Sequence, residues 1–130
     1  FFFSMMTQDP RHVILQLGNN GVPALRLAVL SCEDSDVYGT SVPRMLCQIL
    51  EHTCRTTVPS ANHRSIHLTL YDCKQSEYPA DAAEWDSFHG FVLPGSLSSA
   101  TDDAPWMRTL CDVIRNELHG NRRPTLGICF

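Results

Sequence analysis

Short apolar runs separated by amphipathic stretches restrict the folds open to this chain more than any other feature. The runs at residues 27–30 and 91–93 are continuous and each breaks into a polar or turn-rich loop, which is typical of buried parallel strands. Residues 66–71 alternate apolar and polar side chains, which indicates a strand nearer the sheet edge. A further strand begins at residue 125, and residues 12–17 can add one whose place in the sheet the pattern leaves open.

Two of the intervening stretches predict helices. In the first, Ser41 offers a cap and Pro43 a first-turn proline, and the pattern predicts about three turns with apolar residues at helical spacing, namely Met45, Leu46, Ile49 and Leu50. A shorter helical turn is expected to carry Trp85 and Phe88.

The second long helix is expected to begin at Pro105, with Asp102 or Asp103 as its cap. Its apolar face is predicted to contain Met107, Leu110, Cys111, Ile114 and Leu118. Gly120 is expected to close the helix in a left-handed conformation. Strands that alternate with helices predict an α/β domain with a mostly parallel sheet, whose ligands bind at the carboxyl ends of the strands.

Composition excludes several classes of protein. The chain has 130 residues, 43% of them hydrophobic and 18% charged, which fits one ordinary domain. A net charge of -4 with scattered Lys and Arg argues against a nucleic-acid partner, and no apolar run approaches the roughly 20 residues of a membrane span. The six cysteines contain no C-x-x-C pair, which favours a reducing, cytoplasmic location. No cofactor or metal motif is present in the sequence.

Chemistry is expected at two strand ends that share one rim of the sheet. One is the turn-rich loop with Gly95 and Ser96, and the other is the terminus with Gly127, Cys129 and Phe130. A nucleophile on a sharp turn after a strand, flanked by glycines because the turn leaves no room for side chains, is the elbow arrangement of α/β hydrolases, here with Cys in place of Ser. A helix after the elbow would stabilise the thiolate, and the backbone N–H groups of Gly95 or Ser96 and of Phe130 could bind an oxyanion.

Three segments carry a resemblance when they are read in order. They are WDSFHGFVLPGS at 85–96, DAPW at 103–106 and PTLGICF at 124–130. This order resembles the N-terminal half of the class I glutamine amidotransferase-like superfamily, in particular GMP synthase amidotransferase domains and gamma-glutamyl peptidase-like proteins. The resemblance covers about residues 25–130 and leaves 1–24 as a poorly defined N-terminal extension. It implies a flavodoxin-like three-layer α/β/α domain that hydrolyses a gamma-glutamyl amide through a Cys, His and Glu triad and a thioester.

By motif, the resemblance makes Cys129 the nucleophile, Gly95 and Ser96 the oxyanion and substrate loop, and Phe130 the residue after the nucleophile. Its implied substrate is glutamine or a gamma-glutamyl peptide, with no cofactor or metal; a synthetase partner is an open alternative to a standalone hydrolase. The superfamily pattern continues beyond the elbow to its His and Glu. We therefore expect the 130-residue chain to be a C-terminally truncated fragment that is inactive alone and prone to aggregate, with apolar faces of the central strands uncovered.

Two other functions stay open. The chain can be a truncated non-catalytic relative that binds a partner, or, ranked last, a chaperone or protease relative with the same elbow cysteine. Glu33 and the acidic residues after it lie at the carboxyl end of a strand, where they could shape substrate entry, but a solvated loop is the main expectation. His89 is expected to be structural. Trp85, Trp106 and Phe88 are expected to pack in the core.

Overall fold

A computed structural model describes residues 11–18, 21–33 and 41–129, and its central feature is a five-stranded sheet. The strands are β1 (His12–Leu15), β2 (Leu25–Ser31), β3 (Ile66–Asp72), β4 (Gly90–Leu93) and β5 (Thr125–Gly127). Their spatial order is β1-β3-β2-β4-β5, with β1 antiparallel to β3 and the other neighbours parallel. The structure thus has the predicted mostly parallel α/β sheet.

The parallel part of the sheet has the flavodoxin-like order, because β2 lies between β3 and β4 and β5 follows β4. The direction in which strands are added reverses between β2 and β4. In such sheets the crevice at the carboxyl ends of the two strands beside this reversal is where ligands bind. The strand that residues 12–17 could add is β1, and its position on the outer edge of β3 explains why β3 is not itself an edge strand.

Helices cover both faces of the sheet. They are α1 (Ser41–Thr57), α2 (Ala82–Asp86) and α3 (Pro105–Val113), and α3 continues as a π-helical segment, Ile114–His119. On one face, α1 contributes Val42, Leu46 and Cys47 to a cluster with residues of β1 to β4. On the other face, Trp85, Leu110 and Leu118 pack with Leu30 and Phe91. The domain is therefore three-layered. No helix among the described residues is long and apolar enough to cross a bilayer.

The first long helix differs from its prediction in length and in the face it buries. It has 17 residues rather than about three turns. Leu46 is buried and Leu50 packs against the core, but Met45 and Ile49 are exposed. Residues four apart lie on the same side of a helix, so Met45 and Ile49 point away from the sheet together. Apolar character alone did not distinguish the two faces.

Both ends of α3 also differ from their predictions. Its N-cap is Ala104, without a side-chain cap, while Asp102 accepts a hydrogen bond from the Ser99 backbone N–H at 3.0 Å. Gly120 has a right-handed backbone with φ of -59°. Its N–H donates to the Arg115 carbonyl at 2.9 Å, so the wider π-helical turn satisfies the helix end without a left-handed residue. Cys111, predicted on the apolar face, is exposed.

The central strands are covered, contrary to expectation. Ala28, Val29 and Leu30 of β2 are fully buried, as are Phe91 and Val92 of β4 to within a few per cent. Exposure of the sheet is concentrated instead on β5, where every residue is exposed and Leu126 keeps 57% of its surface in contact with solvent. The described helices cover the sheet only as far as β4.

A polar contact joins β3 to α2. Tyr71 Oη donates to Glu84 Oε1 at 2.6 Å, and the Ala80 backbone N–H donates to Glu84 Oε2. Asp81 caps the same helix by accepting from the Glu84 N–H at 2.9 Å. The hydrogen bond from Ala80, followed by that from Tyr71, lowers the pKa of Glu84 below its ordinary value of 4.5.

These contacts predict a pH dependence. A carboxyl whose folded pKa is lowered stabilises the fold above its unfolded pKa, and this stabilisation is lost as pH falls through the folded pKa. We expect Glu84→Gln to lower the urea midpoint near neutral pH and to converge with wild type below the ordinary carboxyl pKa of 4.5. Asp112→Asn, which removes an exposed surface pair with Arg115, is the control and should shift the midpoint little. Equal curves for Glu84→Gln and wild type at neutral pH would contradict the prediction.

Candidate functional site at the carboxyl edge of the sheet

The loops after β2 and β4 are tied together beside the reversal in strand order. Ser96 Oγ donates to the Cys32 carbonyl at 2.8 Å and accepts from the Ser98 backbone N–H at 3.0 Å. One hydroxyl thus holds the loop after β4 against the end of β2 and also bends the loop on itself. The Ser96 side chain thus connects the two loops by hydrogen bonds, a role that the sequence did not indicate.

Strand β5 brings the predicted nucleophile to this edge. Gly127 pairs in parallel register with Leu93, and the Ile128 N–H donates to the Leu93 carbonyl at 2.9 Å. Cys129 therefore emerges beside the loop that begins after β4. A Cβ built on Gly95 would lie 3.2 Å from Cys129 Cβ and 3.7 Å from Cys129 Sγ. The structure places Gly95 next to Cys129, and an added Cβ at 95 would be tighter than an ordinary contact against Cys129 Cβ but at an ordinary contact distance from the sulfur.

The backbone at Cys129 is left-handed, with φ of 58°. Non-glycine residues rarely adopt this conformation, and such residues concentrate at functional sites, where the surrounding structure holds them. The Cys129 residue is exposed to solvent. The elbow that the sequence predicts at Cys129 stays a prediction, because the residue after it lies outside the described residues.

The structure differs from the predicted elbow at Gly127, and it does not describe Phe130. A Cβ on Gly127 would meet no heavy atom within 4 Å of the described structure, so the expected lack of room at this glycine is not found. Phe130, the predicted oxyanion-binding residue after the nucleophile, lies outside the described residues.

A pair of buried thiols underlies the site and was not predicted. Ser31 is in register with Asp72, so Cys32 and Cys73 follow at the ends of neighbouring strands, and both are fully buried. A hydrogen bond from Cys73 lowers the pKa of Cys32, and the same contact together with burial raises the pKa of Cys73. Forty residues separate the two cysteines along the chain, so no local spacing signals their contact.

Glu33, the first residue of the predicted acidic loop, is only partly solvated. It directly follows Cys32, and its Oε2 atom is buried without a hydrogen-bond donor among the described residues. Glu33 is partly exposed, so the predicted solvated position holds only in part for its side chain. The other acidic residues of that predicted loop, Asp34 and Asp36, lie outside the described residues.

Two histidines, His89 and His63, take structural positions. His89 Nδ1 accepts the Arg26 N–H at 2.9 Å, as its predicted structural role requires. His63 Nε2 lies 3.0 Å and 2.8 Å from the carbonyl oxygens of Cys54 and Val58, at the end of α1. Within the ranges that the structure covers, no group of three or more potential ligands could hold a metal ion.

Taken together, the fold and this edge define a class: a three-layer α/β domain with an exposed cysteine on a left-handed turn at the carboxyl edge of its parallel sheet. Sequence comparison finds similarity to plant proteins named as gamma-glutamyl peptidases. Gamma-glutamyl peptidase 4 of Arabidopsis thaliana is 37% identical over 54 residues, which are 42% of this chain and 21% of that protein. Gamma-glutamyl peptidases 5 and 3 of the same plant are each 36% identical over 61 residues, or 47% of this chain and 24% of theirs.

The similarity is partial. The aligned stretch is under half of this chain and about a quarter or less of each relative. No protein-family profile and no solved structure matches the chain. The sequence comparisons therefore support a relationship to gamma-glutamyl hydrolases, and the site residues and substrate are proposals.

Proposed function

We propose that this chain carries the nucleophile half of a gamma-glutamyl hydrolase site, with Cys129 as the attacking residue. The observation that carries the proposal is the contact between Gly95 and Cys129, with an added Cβ only 3.2 Å from the cysteine Cβ. That contact joins the two loops that the sequence alone nominated for nucleophile and oxyanion. The partial similarity to gamma-glutamyl peptidases supports the same substrate class.

In the proposed reaction, Cys129 Sγ as thiolate adds to the gamma-carbonyl carbon of the substrate. The negative charge that develops on the carbonyl oxygen is bound by backbone N–H groups of Gly95 or Ser96 and of Phe130. Collapse of the intermediate breaks the C–N bond and releases the amine with one added proton, which leaves a thioester. Water then cleaves the thioester, returns the thiol and releases the gamma-carboxylate. In the class I pattern, the proton transfers fall to a histidine and a glutamate that come after the elbow.

Ser96 supports this proposal as a positioning residue. Its hydroxyl fixes the loop after β4 to the Cys32 carbonyl, and Gly95 in that loop is the neighbour of Cys129. A preorganised loop does not have to reorder when charge develops on the substrate, which is how oxyanion donors contribute most. A gamma-glutamyl peptide is favoured over ammonia transfer to a synthetase, since the matched relatives are named as peptidases.

The proposal predicts selective alkylation of one thiol. A glutamine analogue with an electrophilic carbon in place of the gamma-amide should modify Cys129 about tenfold or more faster than Cys111, because binding orients the reacting atoms. Both cysteines are exposed, so Cys111 is a matched control within the same chain. Mass spectrometry of the modified peptides measures both rates, with excess glutamine added as a competitor.

Competition by glutamine should slow modification at Cys129 and leave Cys111 unchanged. Cys129→Ala should abolish the fast reaction, whereas Cys111→Ala should retain it. Equal rates at the two thiols, with no effect of glutamine, would overturn the proposed function.

The non-catalytic alternative also has a structural feature in its favour. Within the described residues β5 pairs only with β4, and Leu126 and Ile128 leave 57% and 36% of their surfaces exposed. An exposed strand with apolar side chains can add a strand from another chain. The alkylation experiment separates the two functions, since a non-catalytic partner-binding protein has no reason to favour Cys129 over Cys111.

A further inference from the structure

Strand β5 leads directly into Cys129, and burial does little to fix its position on the sheet. All three of its residues are exposed, and among the described strands it pairs only with β4. The register of a strand is specified where one of its faces is buried, and it is specified weakly where neither face is. Backbone hydrogen bonds do not select one register, because other registers offer equivalent bonds. A contact outside the strand is therefore needed to hold β5 in place.

Arg123, two residues before β5, makes contacts of this kind. Its side chain is only 14% exposed, and its Nη1 atom donates to Asp86 Oδ1 at 2.7 Å. Its guanidinium carbon lies 5.7 Å from the ring centroid of Trp85, and its Nη2 atom lies 4.0 Å from Glu117 Oε2. The Arg123 backbone N–H donates to the Leu118 carbonyl at 2.8 Å. Arg123 thus joins the start of β5 to α2 and to the π-helical segment.

The register of β5 decides where Cys129 lies. Gly127 is in register with Leu93, and Cys129 follows two residues later. A slip of two residues along β4 would keep each side chain on its face of the sheet. It would move Cys129 by about 7 Å, because a parallel strand rises about 3.3 Å per residue. Such a slip would separate Cys129 from Gly95, whose added Cβ lies 3.2 Å from Cys129 Cβ in the present register.

We propose that Arg123 sets the register of β5 on β4 and thereby positions Cys129 beside the loop after β4; the inference rests on the proposed function above. Arg123 is a positioning residue, since it acts through the strand and not on the substrate. A guanidinium suits this role because its planar fork pairs with a carboxylate and also stacks on an aromatic ring. An exposed ion pair alone would hold the strand weakly, so the contact with Trp85 is part of the anchor.

Arg123→Met tests the register directly, because methionine keeps an unbranched apolar side chain and removes the charge and the fork. Two-dimensional NMR of the intact labelled chain measures amide exchange. The Ile128 N–H donates to the Leu93 carbonyl at 2.9 Å in wild type. We expect this amide to exchange about tenfold or more faster in the variant, while the amides of β2 keep their rates. Nuclear Overhauser contacts between Gly127 and Leu93 should weaken in parallel.

The chemical readout is the alkylation of Cys129 relative to Cys111 by the electrophilic glutamine analogue. This ratio should fall about tenfold in Arg123→Met, since displaced reacting groups lose rates of this order. Arg123→Lys keeps a cation at this position and should retain the ratio within about threefold. Arg115→Met is the matched control, because Arg115 forms an exposed ion pair on the neighbouring π-helical segment. It should leave both the exchange and the alkylation ratio unchanged.

The outcomes separate the inference from the proposed function. If the Ile128 amide in Arg123→Met exchanges at the wild-type rate, or if the amides of β2 and β5 accelerate together, the inference is overturned. If wild type alkylates Cys129 and Cys111 equally, the proposed function fails, and the NMR measurement still decides whether Arg123 sets the register. Asp86→Asn removes the charge from the 2.7 Å pair and should shift both readouts in the same direction by about threefold. This second variant decides the matter if Arg123→Met fails to fold.

Discussion

Replacement of Phe91 by alanine is expected to lower the free energy of unfolding by about 3–5 kcal/mol, the usual cost of removing a buried phenylalanine. Phe91 lies on the central strand β4 with 2% of its surface exposed. Its ring centroid is 5.3 Å from that of Trp85 and 5.7 Å from that of Phe88. The variant leaves a cavity between the sheet and α2 and breaks both aromatic contacts. Equilibrium urea unfolding measures the change.

Leu126→Ala is the control for the Phe91 variant. Leu126 also lies on a strand but is 57% exposed, so its truncation should change stability by less than about 0.5 kcal/mol. Wild type should unfold in one cooperative transition, because both faces of β2 and β4 are covered. A Phe91 variant within about 1 kcal/mol of wild type would show that this core is not packed as described.

The second large effect is expected at the site. Gly95→Val should slow the alkylation of Cys129 by the electrophilic glutamine analogue by about tenfold to a hundredfold, since small displacements of reacting groups cost rates of this order. The valine Cβ would be 3.2 Å from Cys129 Cβ, which is tighter than an ordinary contact, and its methyl groups would extend beyond it. Alkylation of Cys111 within the same molecules serves as the internal reference.

Gly127→Val is the matched variant for this experiment. It adds the same side chain two residues before Cys129, where an added Cβ meets no heavy atom within 4 Å. Its alkylation rate should stay within about threefold of wild type. Thermal unfolding of both variants distinguishes a displaced sulfur from a loss of fold. Equal rates for Gly95→Val and wild type would argue against the loop after β4 as part of the site.

Strands and layers were largely predictable from sequence because each depends on local pattern. The continuous apolar runs became the buried strands β2 and β4, and the alternating stretch became β3. The buried face of a helix was harder to predict. Met45 and Ile49 fit helical spacing, but their side chains are exposed to solvent. Spacing gives the period of a helix, whereas the buried side depends on where the sheet lies.

The residues of the candidate site were also only partly predictable from the sequence. Cys129 and Gly95 were nominated from their separate motifs, and the structure places them in contact. Glu33 was assigned to solvent because acidic residues after a strand usually form a solvated loop. One of its carboxylate oxygens is nevertheless buried without a hydrogen-bond donor among the described residues, which no local pattern encodes.

By itself, then, the sequence determined the alternation of strands and helices and the two loops that can carry chemistry, because periodicity and turn residues act over a few neighbouring positions. Only the tertiary structure decided which distant residues meet: Ser96 with the Cys32 carbonyl, Gly95 with Cys129, and Cys32 with Cys73. The physical reason is the parallel sheet. Its hydrogen-bond register brings the ends of strands that are far apart in sequence to one edge, and that register is set by burial of the whole sheet.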